Sequence, residues 1–479
     1  MSLPVSTLPS FEGTLRPTPR ARRRSRRPFF SFVRADFDAV RVSAAIFVIV
    51  TLTAVHMYLG PLRYTRPSFS LLILVGGLIV IKPKTVRWAN LREAWPAKAV
   101  GLFFVLALGS GLFGLSLGSS AKYVIELYWK VMVFFLVLTL AIRQVRDLAM
   151  LVWSYVLSCG ILVVLSLTVL EMETTREGLG RLSGQGMFDA NDIGMVMLMG
   201  IPLALLVSFN SSRLGRAVAI AVLLGTPITI ALTGSRGALV GFAVMAPALF
   251  FALSRISLGK RLGSVIAVLV VLAAAAPAGY WKQMGTIFDS DQNYNYSTDY
   301  GRLGIAKRGL GYMMRYPIFG VGIANFPRAE GTISPIARQR EMAGMSVEWI
   351  APHNTYVQVG AEMGFPALVL WFAMLWGGTF GLLALRRRLP RRWEQENAER
   401  RFVRDACLFL PLSFLAFAVT SFFLTHAYTT PIYILLAMTA GVVAQARREL
   451  KRDRLERAYA EQHAYAGALA ADPTTLRPA

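Results

Sequence analysis

Charge is scarce in this chain. Asp, Glu, Lys and Arg make up 16% of its 479 residues, against about 25% in an average soluble domain. Hydrophobic residues reach 55% and mean hydropathy is +0.50, which excludes an ordinary soluble fold. Cysteine is scarcer still. Cys159 and Cys407 both fall in apolar runs, so they read as small apolar residues, not as a disulfide or metal pair. Acids are outnumbered, with 51 Lys and Arg against 27 Asp and Glu and a net charge of +24. In a soluble protein that excess points first to nucleic acid. In an apolar chain the positive-inside rule accounts for it, and no nucleic-acid partner is expected. No internal repeat is visible. No cleavable signal peptide is expected, because the N-terminus is polar and arginine-rich and the first apolar run is long enough to span.

What the chain does have is apolar length. Runs of roughly 18–22 apolar residues recur, and they predict an all-α polytopic membrane protein with about 12 transmembrane helices. The expected spans lie near 40–60, 67–82, 97–117, 122–142, 148–170 and 192–209, then near 216–234, 236–254, 262–280, 361–385, 403–425 and 429–446. Residues 1–38 read as a disordered basic cytoplasmic tail and 39–280 as helices one to nine. Residues 281–360 read as a large extracytoplasmic loop that carries the chemistry, 361–446 as helices ten to twelve and 447–479 as a cytoplasmic tail. The loops KPKTVRWANLR, RQVRD, NSSRLGR and SRISLGKR fall on the side of the arginine-rich tail, which predicts that both termini are cytoplasmic.

Three constellations carry candidate chemistry. In TGSRG, Arg236 sits between two apolar helices joined by a tight glycine turn. Two readings stand side by side there: an arginine snorkelling to headgroups, or a clamp for phosphate oxygens. In YGRLGIAKRGLGYMMRYP, a helix ending at Pro317 carries Arg302, Lys307, Arg308 and Arg315, with Arg308 and Arg315 on one face. It suits an interfacial helix on anionic membrane lipid and equally a site for a lipid-linked diphosphate. In PHNTYVQVGAEMG, His353 precedes Asn354 at the start of a membrane-embedded segment. Asn354 reads as a helix N-cap, and an imidazole there can take a proton from a hydroxyl near neutral pH. Glu362 reads either as a partner of the histidine or as a solvated carboxylate at a helix start. Glu126 and Lys130, at i, i+4, read either as a mutually neutralising pair within a span or as a charge near a lipid-linked headgroup. Tyr294, Tyr296, Tyr300, Tyr312, Tyr316 and Trp349 read as an interfacial belt or as stacking surfaces for sugars.

The order TGSRG, then GR…R…YPIFGVG, then HN…E.G, with FDANDIG upstream, resembles the bacterial O-antigen ligase and O-antigen polymerase superfamily. The resemblance implies a C-type membrane glycosyltransferase of the bacterial inner membrane. Its donor would be a glycan on undecaprenyl diphosphate, and its acceptor a sugar hydroxyl on lipid A core or on another lipid-linked glycan. Carried over by position, Arg236 and Arg302 match the diphosphate-binding arginines and His353 the acceptor-activating base. Arg308 is added from helix geometry, and Glu362 and Asn354 as support. No cofactor is implied. No metal is expected either, because DSDQN at 289–293 lacks the glycine and the closing glutamate of a calcium loop. The alternatives are a protein O-oligosaccharyltransferase, a secondary transporter of an anion or solute, and a scaffold that binds acidic lipid through its basic tails.

Overall fold

The computed structural model describes residues 38–174, 180–182, 189–277, 279–285 and 300–471. The segment 289–293, Tyr294, Tyr296 and the basic tail before Asp38 lie outside the described residues.

Lipid offers no hydrogen-bond partner to a backbone, so the apolar runs close their own bonds as helices. The chain opens with two apolar helices of 15 residues, α1 (Ala39–Thr53) and α2 (Pro67–Ile81). Five long helices follow: α3 (Trp95–Phe113), α4 (Leu117–Ala141), α5 (Val145–Thr168), α6 (Ala190–Asn210) and α7 (Arg213–Thr233). Next come the short α8 (Arg236–Ala252) and then α9 (Leu258–Ala275). The stretch expected as a loop carries α10 (Arg302–Arg315), α11 (Phe326–Thr332) and α12 (Pro335–Met342). The chain ends with α13 (Thr355–Arg388), α14 (Ala398–Phe423) and α15 (Thr430–Ala471). Among the described residues, eight helices are long and apolar enough to cross a membrane, and α1, α2 and α8 are shorter apolar helices. The protein is an all-α polytopic membrane protein. Among the described residues, strand is confined to the antiparallel pair Met172–Thr174 and Gly180–Leu182.

Helices α6 and α14 form the centre of the bundle, most of their residues being buried. In α9 only Leu272 is buried, so that helix lies at the periphery. At one end of the bundle, Arg400 on α14 meets Glu449, Asp453 and Glu456 on α15 at 3.1, 3.3 and 2.7 Å. These pairs carry α15 past the apolar layer as a continuous helix.

Three expectations need correction. The expected loop ended at residue 360, but α13 begins at Thr355, capped by Asn354. Glu362 is not a solvated carboxylate at a helix start. It is 1% exposed and lies within α13. Glu126 and Lys130 form no ion pair among the described contacts. Residues 124–128 make a π-helical turn, in which Glu126 is exposed, while Lys130 beyond it is half-buried.

Helix α13 breaks at Gly364, where φ is 79° and ψ −179°. The segment YPIFGVG crosses the break as a strap. Val321 N donates to Ala361 O at 2.8 Å and Gly322 N to Glu362 O at 2.9 Å, while Phe365 N donates to Pro317 O at 2.8 Å. The Ser110 hydroxyl on α3 also donates to Glu362 O, at 2.7 Å. The broken helix thus recovers partners for backbone groups that lipid would strand. The approach is close enough to exclude a side chain, since a Cβ on Gly320 would stand 2.3 Å from the Glu362 carbonyl carbon.

Candidate functional site

The connection between α14 and α15, residues 424–429, is the hub of the opposite end of the bundle. Its sequence LTHAYT supplies hydroxyls and a histidine in a turn too short to leave the bundle. The Thr355 hydroxyl donates to Leu424 O at 2.8 Å and in turn accepts His426 N at 3.1 Å. Ala427 N donates to Gln358 Oε1 at 3.1 Å. These bonds tie the turn to the first two turns of α13.

His353 stands just before that helix and is exposed. Its φ is 45°, in the left-handed region that a residue with a Cβ rarely adopts. Two contacts hold it there. His353 N donates to Thr425 Oγ1 at 3.0 Å, and the following Asn354 turns its carboxamide oxygen onto Tyr356 N and Val357 N at 2.9 and 3.1 Å. Surrounding protein and the nearby Arg302 guanidinium lower the His353 pKa from its ordinary 6.5, partly opposed by Asp189 and Asp192. Arg302, Asp189 and Asp192 therefore act on His353 electrostatically.

The arginines reach this point through Phe423. The Arg302 guanidinium lies 5.9 Å from the centre of the Phe423 ring. Gly237, next to Arg236, packs on the same ring so tightly that a Cβ there would stand 3.0 Å from it. Arg236 is the first residue of α8, after Gly234 at φ 58° and the N-cap Ser235, whose hydroxyl accepts Ala238 N. The turn also abuts the strand pair, since Arg181 and Gln283 both lie within 4 Å of a Cβ built on Gly234.

The FDANDIG segment completes the site. Asp189 caps α6 by accepting Asn191 N and Asp192 N at 2.7 and 2.9 Å, while Asp192 Oδ2 accepts Asp189 N at 3.1 Å. The other Asp192 oxygen lies 2.7 Å from His426 Nε2, and His426 Nδ1 lies 2.6 Å from Thr429 Oγ1. His426 is 5% exposed. Asp192 and His426 thus lock the start of α6 to the 424–429 turn.

Not every expected residue joins this group. Arg308 binds Glu330 through Nε and Nη2 at 2.8 and 2.5 Å, and Tyr312 OH donates to Glu330 Oε1 at 2.7 Å. The pair is largely buried and fastens α10 to α11. Glu362 Oε1 accepts Phe326 N at 3.1 Å, which fastens the start of α11 to α13. Of the aromatic residues, Tyr312 is buried in that network, while Trp349 packs against Gly331. Among the described residues, no group of three or more His, Cys, Asp or Glu is arranged to hold a metal.

Residues 219–372 match the family model of O-antigen ligase. The matched segment carries Arg236, Arg302, the strap and His353 in one stretch. Over that segment the chain is similar to the O-antigen ligase family. No curated protein matches it. That similarity supports ligase- or polymerase-type activity in general. Asp192 and His426 lie outside the matched segment. His426 falls at the end of an apolar run in the sequence, and nothing local marks it as the partner of Asp192.

Proposed function

We propose that this protein transfers a glycan from undecaprenyl diphosphate to a sugar hydroxyl, with inversion and without metal. The observation that carries the reading is the meeting of the Arg236 turn, Arg302 and His353 around Phe423 and the 424–429 turn. Arg236 and Arg302 bind the diphosphate oxygens and stabilise the charge that develops as the anomeric carbon–oxygen bond breaks. The neutral His353 imidazole takes the proton of the acceptor hydroxyl as its oxygen attacks the opposite face of the anomeric carbon. Undecaprenyl diphosphate leaves with the bonding electron pair, which the two guanidinium groups accommodate. Arg308 contributes by holding α10 in place, so that Arg302 at its first turn stays beside His353.

On this reading the hub end of the bundle faces outside the cytoplasm of a bacterial inner membrane. About 12 spans then leave both termini inside, with α15 providing the last. The acceptor is lipid A core or a second lipid-linked glycan. The transporter alternative draws on broken helices that expose backbone to a solute. In α13 the strap occupies the break instead, which favours transfer.

The test is transfer in vitro from a defined undecaprenyl-diphosphate glycan to candidate acceptors, with and without EDTA. Wild-type protein is expected to transfer in both, and Arg236→Ala and His353→Ala to fail while still reaching the membrane. Full transfer by both variants would sink the site assignment. Glycan ladders from a deletion strain separate the two outcomes within the family. Long chains stranded on the carrier indicate a ligase, and single repeats a polymerase.

A further inference from the structure

Trp349 has no part in the transfer chemistry above, yet 57% of its surface is exposed. Its indole is nevertheless fixed in place. A Cβ built on Gly331 would stand 2.8 and 2.9 Å from the indole Cε2 and Cδ2, and 3.2 Å from Nε1. Cε2 and Cδ2 are the ring-fusion atoms, inside the bicycle, so an approach that close comes through a face and not from an edge. One face of the indole therefore lies on α11, at a residue without a side chain. The exposed area belongs to the other face and the rim.

The segment that carries Trp349 runs without helix from Met345 to Asn354, and three contacts pin it. Arg340 Nε donates to Ser346 O at 2.7 Å, and the same guanidinium lies 5.6 Å from the centre of the Tyr300 ring, two residues before Arg302. Ile350 packs on the apolar cluster of Phe326 and Val357. His353 N is held by Thr425. The segment is thus fixed beside the residues assigned to the reaction, with Trp349 and His353 both exposed on it. Four residues of chain reach at most about 14 Å, so one short saccharide can meet both side chains. A pyranose ring has a face of weakly polar C–H bonds. That face complements the negative face of an indole, and both shed water on contact. Exposure alone would also suit the interfacial belt. The neighbouring charges favour sugar, since Glu341 and Glu348 are exposed and form no ion pair among the described residues. Carboxylates repel lipid phosphates and accept hydrogen bonds from sugar hydroxyls.

We propose that Trp349 is a stacking platform for a sugar ring of the acceptor glycan, close to the sugar whose hydroxyl meets His353. The inference rests on the transferase reading above and adds where the acceptor is held. His353 is the group assigned to the acceptor hydroxyl, and Trp349 shares its segment, so the acceptor is the glycan that reaches the indole. Full-length protein containing fluorotryptophan is placed in nanodiscs and followed by fluorine NMR. The chain has nine tryptophans, and Trp349→Phe assigns the Trp349 line. The probes are core oligosaccharide and repeat-unit oligosaccharide from the strain's own surface polysaccharide, both free of lipid. At least one is expected to shift that line saturably. Gly331→Ala keeps the indole but pushes it off α11, and is expected to weaken binding about fivefold. In steady-state transfer, Trp349→Ala is expected to raise acceptor KM about fivefold, with a smaller change in kcat. A line that moves with neither probe overturns the proposal. So does broadening of that line by a spin-labelled phospholipid, which would put the indole in the membrane. Unchanged acceptor KM in both Trp349→Ala and Gly331→Ala overturns it too, and leaves the proposed function standing. Oligosaccharide binding at Trp349 without any transfer would refute the proposed function and leave the platform.

Discussion

His353 occupies a left-handed backbone position, at a cost of order 1 kcal/mol or more, that two side-chain contacts sustain. Thr425→Val removes one of those contacts without touching the imidazole. We expect it to lower kcat and leave donor KM near its wild-type value, as steady-state transfer kinetics would report. The protonation of His353 gives a second prediction. A general base works when neutral, so activity rises with pH through its pKa, which here lies below the ordinary 6.5. Replacing Arg302 by Gln removes a charge that opposes the imidazolium, so the pKa rises and the acid limb of the pH–rate profile moves up. Asp189→Asn should move it down. Limbs that stay in place in both variants would mean that the titrating base is another group. At Arg308 the expected effect is on stability. Glu330→Ala leaves a largely buried guanidinium without its partner, a change worth about 3–5 kcal/mol. It should appear as a lower thermal midpoint in detergent.

At the scale of the element, the strap and the broken helix form one unit. Gly320 and Gly364 both have positive φ, and a Cβ on either would stand 2.3–2.6 Å from main-chain atoms. Neither can accept a Cβ without separating the two segments. Gly364→Ala should cost more than about 3 kcal/mol and reduce the yield of folded protein on size-exclusion chromatography. Gly76→Ala, within α2 and with nothing inside 4 Å of the added carbon, should be neutral or stabilising by up to about 1 kcal/mol. Comparable losses in both variants would show that helix propensity, not the strap, governs the result. Close packing accounts for both glycines of YPIFGVG: Gly320 makes room for the main chain of α13, and Gly322 for the Asn325 side chain and Gly114.

For the whole molecule, the prediction concerns sidedness. Cys159 and Cys407 are both buried, so a single introduced cysteine reports cleanly. Ser346→Cys should react with an impermeant maleimide on intact cells, and Ser257→Cys only after the membrane is opened. The reverse pattern would put the site in the cytoplasm and remove the lipid-linked donor from reach.

The spans were legible because hydropathy is local. Expected spans near 67–82, 148–170 and 192–209 meet helices Pro67–Ile81, Val145–Thr168 and Ala190–Asn210 within a few residues. Arg236, Arg302 and His353 stand out as candidates for a similar reason, since glycine turns and helix starts flank them in the sequence. The sequence alone thus determined a helical membrane protein with a polar segment rich in arginine and a candidate base. Only the tertiary structure decided which groups meet. Arg308 turned to Glu330, Glu362 went into the core of a broken helix, and Asp192 found His426 from 234 residues away. A charge's partner depends on which helix faces pack together. Packing is set by the whole bundle, and no window of local sequence contains it.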